Sequence, residues 1–363
     1  MFRRTGLLLL LVPMLAAGCA GSGSSAGGDK AGGAASRGPV ILRLASTPWD
    51  LSDVQPVADF VRWVRELSHG GIRIEVVNQW GNYQPDAEAQ VVGAVASGKA
   101  DLGWAGSRVF DSIGLSGFGA LSAPMLVDSY ALETAVVESP TARQLLGSLK
   151  GVGVTGLGML PDVLRRPIGA HRRLLSPRSW RGVSFGTYRS GVQGQAIRAL
   201  GGRPIVAFGP FRLRALETGS IQGFELDFRR YEQLGLERVA PYVAANVPLW
   251  PQVDVLFANP RRFSSLTDQQ RAWLIQAADD AGWSASELFE QDLTFARRIC
   301  AAGARLALAT PADLAALRRS FSPVYSRLEQ DPRTKSFIRL IERLKRSAGR
   351  DPALVIPAGC SSG

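Results

Sequence analysis

The chain has 363 residues, of which 46% are hydrophobic and 20% charged, a composition that is typical of a folded globular protein and excludes a disordered or fibrous one. Its formal net charge is +11, but the arginines are scattered and form no long basic run. Together with the export signal described next, this distribution argues against nucleic-acid binding.

The N-terminus has the parts of an export signal. A basic pair precedes an apolar run from Leu7 to Leu15, and small residues follow directly. The run is too short to span a membrane. Because Cys19 comes next, the stretch resembles the lipobox of bacterial lipoproteins, which implies removal of residues 1–18 and lipidation of Cys19. An ordinary cleaved signal with an incidental cysteine is the alternative.

A segment of glycine, serine and alanine follows the signal. Residues 19–38 cannot bury enough apolar surface to fold, so we expect a flexible linker after the lipidated cysteine. This arrangement predicts a folded part that is extracytoplasmic and anchored to the bacterial membrane. The remaining chain, Pro39 to Gly349, exceeds the usual size of one domain, and we expect two lobes.

Short β-rich runs alternate with helical patterns along the rest of the chain. Helices are predicted over Val54–Leu67, Asp86–Ser97 and Gln193–Leu200. The predicted strands are Ile41–Ser46, Ile72–Val77, Asp101–Ala105, Gly151–Gly158, Ile205–Gly209 and Val253–Ala258. This alternation predicts an α/β fold with mainly parallel sheets.

One unit occurs once in each half of the chain. "AVASGKADLGW" (Ala94–Trp104) and "ALETGSIQGFE" (Ala215–Glu225) both read as a helix, a terminating glycine and a strand. This repetition predicts two similar lobes, with a ligand bound outside the ends of their strands.

A long helical pattern lies near the C-terminus. Thr267 and Gln270 form a capping box before Asp268–Ala302. A single helix of this length would reach about 50 Å and could brace both lobes. Division into two helices at Gly282 is the alternative.

Two motifs have the spacing of an enzyme but not its context. Gly182–Gly186 fits the serine hydrolase pattern G-x-S-x-G, which makes a serine esterase using Ser184 an alternative. However, the chain has only two histidines, His69 and His171, and neither follows Ser184, as the hydrolase order requires. The G-x-G-x-x-G glycines at Gly151–Gly156 follow a helix instead of opening one. We therefore expect no catalytic residues, no cofactor and no metal site.

Two cysteines remain once Cys19 is lipidated. Cys300 and Cys360 would lie in a compartment that permits oxidation, so a disulfide is possible. Two unpaired thiols are the other interpretation, because the sequence contains no information on the distance between them.

From Ile41 to Leu344 the chain resembles the extracytoplasmic solute receptors of tripartite ATP-independent periplasmic (TRAP) transporters, the DctP family. The resemblance is carried, in order, by "GGIRIEVVNQWGNYQPDAEAQVVGAVASGKADLGW", "SPRSWRGVSFGTYRSGVQGQAIRALGGRPI", "ALETGSIQGFE" and "SLTDQQRAWLIQAADDAGW". It implies a two-lobe, periplasmic-binding-protein-like fold of type II. Lobe I is expected over 39–163 and 252–290, lobe II over 164–251 and 291–349, and a tail over 350–363.

The resemblance also implies a function. Such a receptor is usually a monomer, captures an organic acid between its lobes by hinge closure and delivers it to the membrane subunits of the transporter. A ligand-sensing receptor and an ABC-type solute-binding lipoprotein are alternatives, because both would use the same closure.

Family positions can be carried over by counting along the motifs. The arginine that clamps the ligand carboxylate falls on Gly186, so that contact is missing, and the second family arginine falls on Arg166, with Arg165 beside it. The family asparagine falls on Leu226, while Glu225 is retained.

These departures change the expected ligand. Gly186 and Leu226 predict a roomier, less polar pocket, suited to a bulky monocarboxylate, unless Arg189 replaces the missing clamp. Trp104 and Trp250 are expected to stack against the ligand, with burial in the core as their alternative role.

Overall fold

The structure, a computed structural model, describes residues 38–356 and 359–360. The predicted signal, Cys19 and nearly all of the linker lie outside the described residues, so those assignments stay predictions. From Pro39 onward the chain is one compact unit.

Strands and helices alternate along the chain, as predicted. The strands are β1 (Val40–Ala45), β2 (Ile72–Val77), β3 (Leu102–Gly106), β4 (Thr155–Gly169), β5 (Ser184–Thr187), β6 (Arg203–Val206), β7 (Gly223–Leu226), β8 (Tyr242–Ala244), β9 (Trp250–Ala258) and β10 (Arg305–Ala307). The α-helices are α1 (Gln55–Leu67), α2 (Ala87–Ala96), α3 (Arg108–Ser112), α4 (Tyr130–Val137), α5 (Pro140–Ser148), α6 (Pro177–Trp180), α7 (Gly191–Ala199), α8 (Pro210–Glu217), α9 (Phe228–Gln233), α10 (Pro260–Ser264), α11 (Asp268–Asp280), α12 (Ala285–Ala301), α13 (Pro311–Ser320), α14 (Ser322–Leu328) and α15 (Pro332–Ser347). Short 3₁₀ helices cover Leu51–Asp53, Phe118–Ser122, Leu149–Val152 and Leu236–Arg238.

Two sheets share the long strand β4. The sheet of lobe I has the order β2-β1-β3-β9-β4, and that of lobe II has the order β6-β5-β7-β4-β8-β10. The outer pairs are parallel, as predicted, whereas β9 and β4 run antiparallel to their neighbours. The expected lobe boundaries at 163/164 and 251/252 fall within β4 and β9, the two strands that join the lobes.

The strand β4 is longer than predicted. The expected strand ended at Gly158, yet the observed strand continues through two prolines to Gly169. The ladder with β9 shifts register between Pro161 and Val163, and proline is tolerated at such a bulge because no ladder hydrogen bond is lost there. The bulge therefore lets one strand pass from lobe I to lobe II.

The helices cover both faces of each sheet. In lobe I, α1 buries Val57, Phe60 and Val64, which the helical period places on one face. These side chains pack with α11 on one face of the sheet, while α2 and α15 pack on the other. The predicted helix–glycine–strand unit occurs in both halves of the chain, as α2–Gly98–β3 and as α8–Gly219–β7, and both glycines have positive φ.

The long helix is two helices, so the prediction of a single helix is wrong and the break near Gly282 is right. The helix α12 starts from its own capping box, formed by Ser284 and Glu287, which explains why the chain begins a second helix there. It packs against α4 of lobe I and α9 of lobe II, and therefore still braces both lobes.

A disulfide joins the tail to α12. Cys300 and Cys360 are bonded, with their Cα atoms 5.4 Å apart. The tail follows α15, which was expected in lobe II but packs in the core of lobe I. The tail residues Leu354 and Ile356 pack in the core of lobe II. Within the described residues, no helix combines the length and apolar character needed to cross a membrane.

Candidate ligand-binding site

A cavity of about 550 Å³ lies between the lobes. Trp104 near the end of β3 and Arg108 at the start of α3 line it from lobe I, and Tyr188 after β5 lines it from lobe II. Phe208 and Arg212, on either side of the start of α8, complete the wall of lobe II. The cavity therefore lies at the carboxyl ends of strands, where open α/β sheets bind ligands.

A chain of hydrogen bonds fixes two arginines in the cavity wall. Arg108 Nη1 and Arg165 Nη2 both donate to Gln252 Oε1, at 2.6 and 3.0 Å. Gln252 Nε2 donates to Asp254 Oδ1 at 2.5 Å, which fixes the orientation of the amide. Arg108 Nη2 also donates to Glu88 at 2.6 Å. Both guanidinium groups are thus held in place before any ligand arrives.

The arginines of the wall differ in their carboxylate partners. Of the five arginines of the wall, Arg108 pairs with Glu88, Arg165 lies 3.8 Å from Glu225, and Arg229 and Arg230 pair with aspartates. Arg212 forms no salt bridge with any described residue, although it is only 5% exposed. Burial lowers the pKa of its guanidinium, because desolvation disfavours the charged form.

Several guanidinium nitrogens of the wall have no hydrogen-bond partner among the described residues. They are Nε and Nη1 of Arg165 and Nε of Arg108, Arg212 and Arg229, all buried. A buried charged donor without a partner is costly, and an anionic group in the cavity would supply the missing acceptor. The wall can therefore bind an anion.

Tyr188 is held between both lobes. The guanidinium carbon of Arg108 lies 3.8 Å from the centroid of its ring, and the ring of Phe208 stacks on it with a centroid distance of 5.0 Å. Burial raises the pKa of the Tyr188 hydroxyl, but Arg165, Arg212 and Arg108 outweigh burial and bring the pKa below its usual range. The phenol oxygen thus lies in a strongly positive environment.

Carboxyl groups lie behind the arginines. Burial and the neighbouring Asp162 raise the pKa of Asp254 to about 8, so this carboxyl is largely protonated at neutral pH. Burial also raises the pKa of Asp162, against the opposing effect of Arg229 at 3.3 Å. The protonated Asp254 lowers the negative charge beside the cavity.

Contacts between the lobes surround the mouth of the cavity. Asp53 of lobe I and Arg230 of α9 form a salt bridge at 2.7 Å. The ring of Tyr83 lies so close to Gly209 that a side chain there would collide with it. The lobes are therefore in contact around the cavity.

Three of the residues expected at the site line the cavity: Arg165, Trp104 and Leu226. Arg166, the expected main contact, lies outside it. Its Nη2 donates to Asp292 at 2.5 Å, its Nε to the carbonyl of Ala245 and its Nη1 to the carbonyl of Leu164, both at 2.9 Å. With these donors engaged, the guanidinium has a structural role.

The other four expected residues are also outside the cavity wall. Arg189 is exposed and lines a separate cavity, and the side of Gly186 that a Cβ would occupy faces Ile221. Glu225 lies behind Arg165, and Trp250 is 1% exposed in the core of lobe II. Trp250 Nε1 lies 3.3 Å from Glu225 Oε2, so both residues support Arg165 from behind.

Four important wall residues were not predicted: Arg108, Tyr188, Arg212 and Gln252. A signal for Arg108 was present, because it follows the predicted strand that contains Trp104. Arg212 similarly follows the predicted strand Ile205–Gly209. Charged residues directly after strands would have been the useful signal.

The serine motif has no catalytic partners. Ser184 Oγ accepts a hydrogen bond of 2.6 Å from Arg203, both His69 and His171 are exposed, and no hydrogen bond between described residues joins either histidine to Ser184. In the part of the chain that the structure describes, no group of three metal-ligating side chains could hold a metal ion.

Solved structures share this fold. A TRAP periplasmic solute binding protein from Ochrobactrum anthropi matches with a TM-score of 0.73 at 19% identity, over 85% of this chain and 97% of that one. The sugar acid binding protein from Advenella mimigardefordensis, in complex with galactonate, matches with a TM-score of 0.74 at 19% identity, over 85% and 99% of the chains. A TRAP periplasmic solute binding protein from Ralstonia eutropha with bound (S)-2-acetolactate matches with a TM-score of 0.75 at 17% identity, over 85% and 99%.

The sequence itself also matches a family. The family model of DctP, the bacterial extracellular solute-binding proteins of family 7, matches residues 50–331, which is more than half of the chain. The match includes both lobes and every arginine of the cavity wall named above. The chain therefore belongs to family 7 of the bacterial extracellular solute-binding proteins.

Proposed function

We propose that this protein is the receptor of a TRAP transporter, and that it binds the carboxylate of an organic acid between Arg165 and Arg212. The observation that carries the proposal is Arg212, a buried cation that faces the cavity without a carboxylate partner among the described residues. A charged hydrogen bond contributes about 1.5–3 kcal/mol, so one such group would account for tenfold or more in affinity.

The rest of the cavity favours a bulky monocarboxylate. Away from the arginines, Trp104, Phe208, Leu226 and Leu236 line the cavity with apolar surface. A ligand with one carboxylate and an apolar or ring-shaped body would match this arrangement. The Advenella and Ralstonia proteins were solved with galactonate and acetolactate, each of which has a single carboxylate.

Binding proceeds through closure of the two lobes. Arg108 comes from lobe I, whereas Tyr188 and Arg212 come from lobe II, so the site is complete only when the lobes meet. A ligand that contacts both lobes shifts the population from open to closed. The two connecting strands, β4 and β9, form the hinge, and the protein acts as a carrier without catalysing a reaction.

Delivery requires a membrane partner. In this proposal Cys19 is lipidated, residues 19–38 are the linker, and the closed monomer presents its ligand to the transporter's membrane subunits. The family assignment supports an extracellular location.

A thermal-shift panel on the mature chain tests the ligand class. Bulky monocarboxylates, small dicarboxylates, amino acids and neutral sugars are compared, and a ligand at 100-fold over its Kd stabilises the fold by about 2.7 kcal/mol. We expect monocarboxylates to raise Tm most. Stabilisation by neutral sugars alone would contradict the proposal.

Calorimetry on Arg212→Met tests the binding group. The variant should bind the best acid about ten- to a hundredfold more weakly, because it loses a charged donor. Arg65→Met, which removes an exposed arginine from α1, is the matched control and should bind like the wild type. Equal affinity of Arg212→Met and the control would exclude Arg212 as the carboxylate contact.

A further inference from the structure

Tyr188 lies between two cavities of the cleft. On one side is the ligand cavity of about 550 Å³, and on the other is a second cavity of about 660 Å³. Asp111 of α3 and Arg189 after β5 line this second cavity from the two lobes. Among the described residues, Tyr188 alone lines both cavities. Its side chain thus stands at the boundary between them.

The Tyr188 ring is in contact with side chains from both lobes. Arg108 lies over the ring at 3.8 Å from lobe I, and Phe208 stacks on it from lobe II. Arg108 is itself fixed by Glu88 and Gln252. A ring held in this way cannot rotate aside without losing a cation–π contact and an aromatic stack.

We propose that the stack of Arg108, Tyr188 and Phe208 is a wall that limits the length of the ligand. The proposal rests on the proposed function, because it takes the cavity of about 550 Å³ as the ligand site. Since Arg108 belongs to lobe I and the two aromatic residues to lobe II, the wall forms only as the lobes close. It therefore selects among ligands at the closing step.

The second cavity indicates what the wall excludes. Three arginines, Arg189, Arg198 and Arg327, line it together with the carboxyl groups of Asp111 and Asp331. A long diacid could place one carboxylate at the Arg165 and Arg212 pair and the other among these arginines, but only if the ring of Tyr188 were absent. Tyr188 is thus a specificity-determining residue that selects short acids over long diacids.

The test measures how affinity depends on ligand length. Straight-chain dicarboxylates from succinate to dodecanedioate, and the matching monocarboxylates, are titrated calorimetrically into the mature protein. The wild type should lose at least tenfold in affinity beyond a certain length. Tyr188→Ala should bind the longest diacids at least tenfold more tightly than the wild type does, whereas Tyr188→Phe keeps the ring and should keep the wild-type cut-off.

Two further variants control for folding and for loss of a tyrosine. Tyr242→Ala removes a half-buried tyrosine of β8 that also lies beside an arginine, Arg305 at 5.5 Å, but lines neither cavity. It should keep the wild-type dependence on length. Tyr188→Leu removes the aromatic ring but preserves apolar packing. It should also bind the longest diacids more tightly than the wild type does, and it replaces Tyr188→Ala if the alanine variant does not fold.

The outcomes separate this proposal from the proposed function. The same length dependence in Tyr188→Ala and the wild type would overturn the wall. Binding of long diacids by Tyr188→Ala, with no acid bound by the wild type, would support the wall and refute the function. If neither protein binds any acid, the function fails, and a crystal structure of Tyr188→Ala decides the wall: one continuous cavity supports it, and two separate cavities overturn it.

Discussion

The strand β4 has a buried arginine on each face, and the two arginines differ in their hydrogen-bond partners. Arg165 and Arg166 are neighbours and are almost equally buried, at 8% and 6% exposure. Arg166 faces α12, where Asp292 accepts a hydrogen bond from its guanidinium, and the backbone carbonyls of Ala245 and Leu164 accept two more. Arg165 faces the cavity, and in the described part of the chain nothing accepts a hydrogen bond from its Nε and Nη1.

This difference separates stability from binding. A buried arginine in which each guanidinium nitrogen already donates a hydrogen bond within the protein is held for stability, whereas nitrogens without an acceptor are costly in the empty protein and favourable once an anion arrives. Burial alone does not distinguish the two arginines, but their hydrogen-bond partners do. Mutations on the two faces should therefore have different consequences.

The largest effect is expected on the face of β4 that contacts α12. Asp292→Ala leaves the Arg166 charge buried without its partner and should lower the free energy of unfolding by about 3–5 kcal/mol. Urea unfolding measures this loss. Arg212→Met, on the cavity face, is the contrast and should leave the stability of the empty protein unchanged or slightly raised, because Arg212 has no carboxylate partner among the described residues. Equal losses in the two variants would contradict the distinction.

The disulfide should have the next largest effect, also through α12. Cys360→Ser opens a loop with a sequence separation of 60 residues and should cost about 2–4 kcal/mol, since the unfolded chain regains freedom. Urea unfolding without reductant compares the variant with the wild type. Adding reductant should bring the wild type to the level of the variant and leave the variant unchanged. If reductant does not change the free energy of unfolding of the wild type, the disulfide contributes no stability.

On the cavity face, Asp254 should make stability depend on pH. Its pKa is raised to about 8, so the folded state keeps a proton that the unfolded state releases from about pH 4 upward. Stability should therefore fall as the pH rises from 4 to 8, by on the order of 2 kcal/mol between pH 6 and pH 8. Asp254→Asn stays neutral, and urea unfolding at several pH values should show a flatter profile. A profile as steep as that of the wild type would assign the proton to another group.

Most of the fold could be predicted from the sequence, because it depends on local patterns. Alternating strands and helices, the glycines at Gly98 and Gly219 and the capping box at Thr267 are all readable within a few residues. The extension of β4 was missed, because prolines usually end a strand and nothing local indicates a bulge. The second capping box, at Ser284, was a signal for two helices that went unused.

The site was harder to predict, because side-chain direction in a strand has a period of two. An error of one residue moves a side chain to the opposite face, and the bulge between Pro161 and Val163 is such a shift just before the two arginines. Counting along the family motifs predicted Arg166 as the main contact with Arg165 beside it, and of the two it is Arg165 that lines the cavity. Arg108 and Arg212 line the cavity from different lobes and lie far apart in the sequence, so no local pattern relates them.

The smallest effect is expected where the two lobes meet at the mouth. The salt bridge between Asp53 and Arg230 is partly exposed, at 30% and 22%, so Asp53→Asn should cost at most about 1 kcal/mol. Because this contact exists only between closed lobes, the loss should appear as ligand dissociation that is a few-fold faster, measured by stopped flow. High salt should speed dissociation from the wild type but not from the variant. Glu75→Gln breaks a salt bridge of the same 2.7 Å length that lies wholly within lobe I, and should not change dissociation. If both variants release ligand equally fast, the salt bridge at the mouth does not hold the lobes closed, and the arginines that line the cavity keep them closed without it.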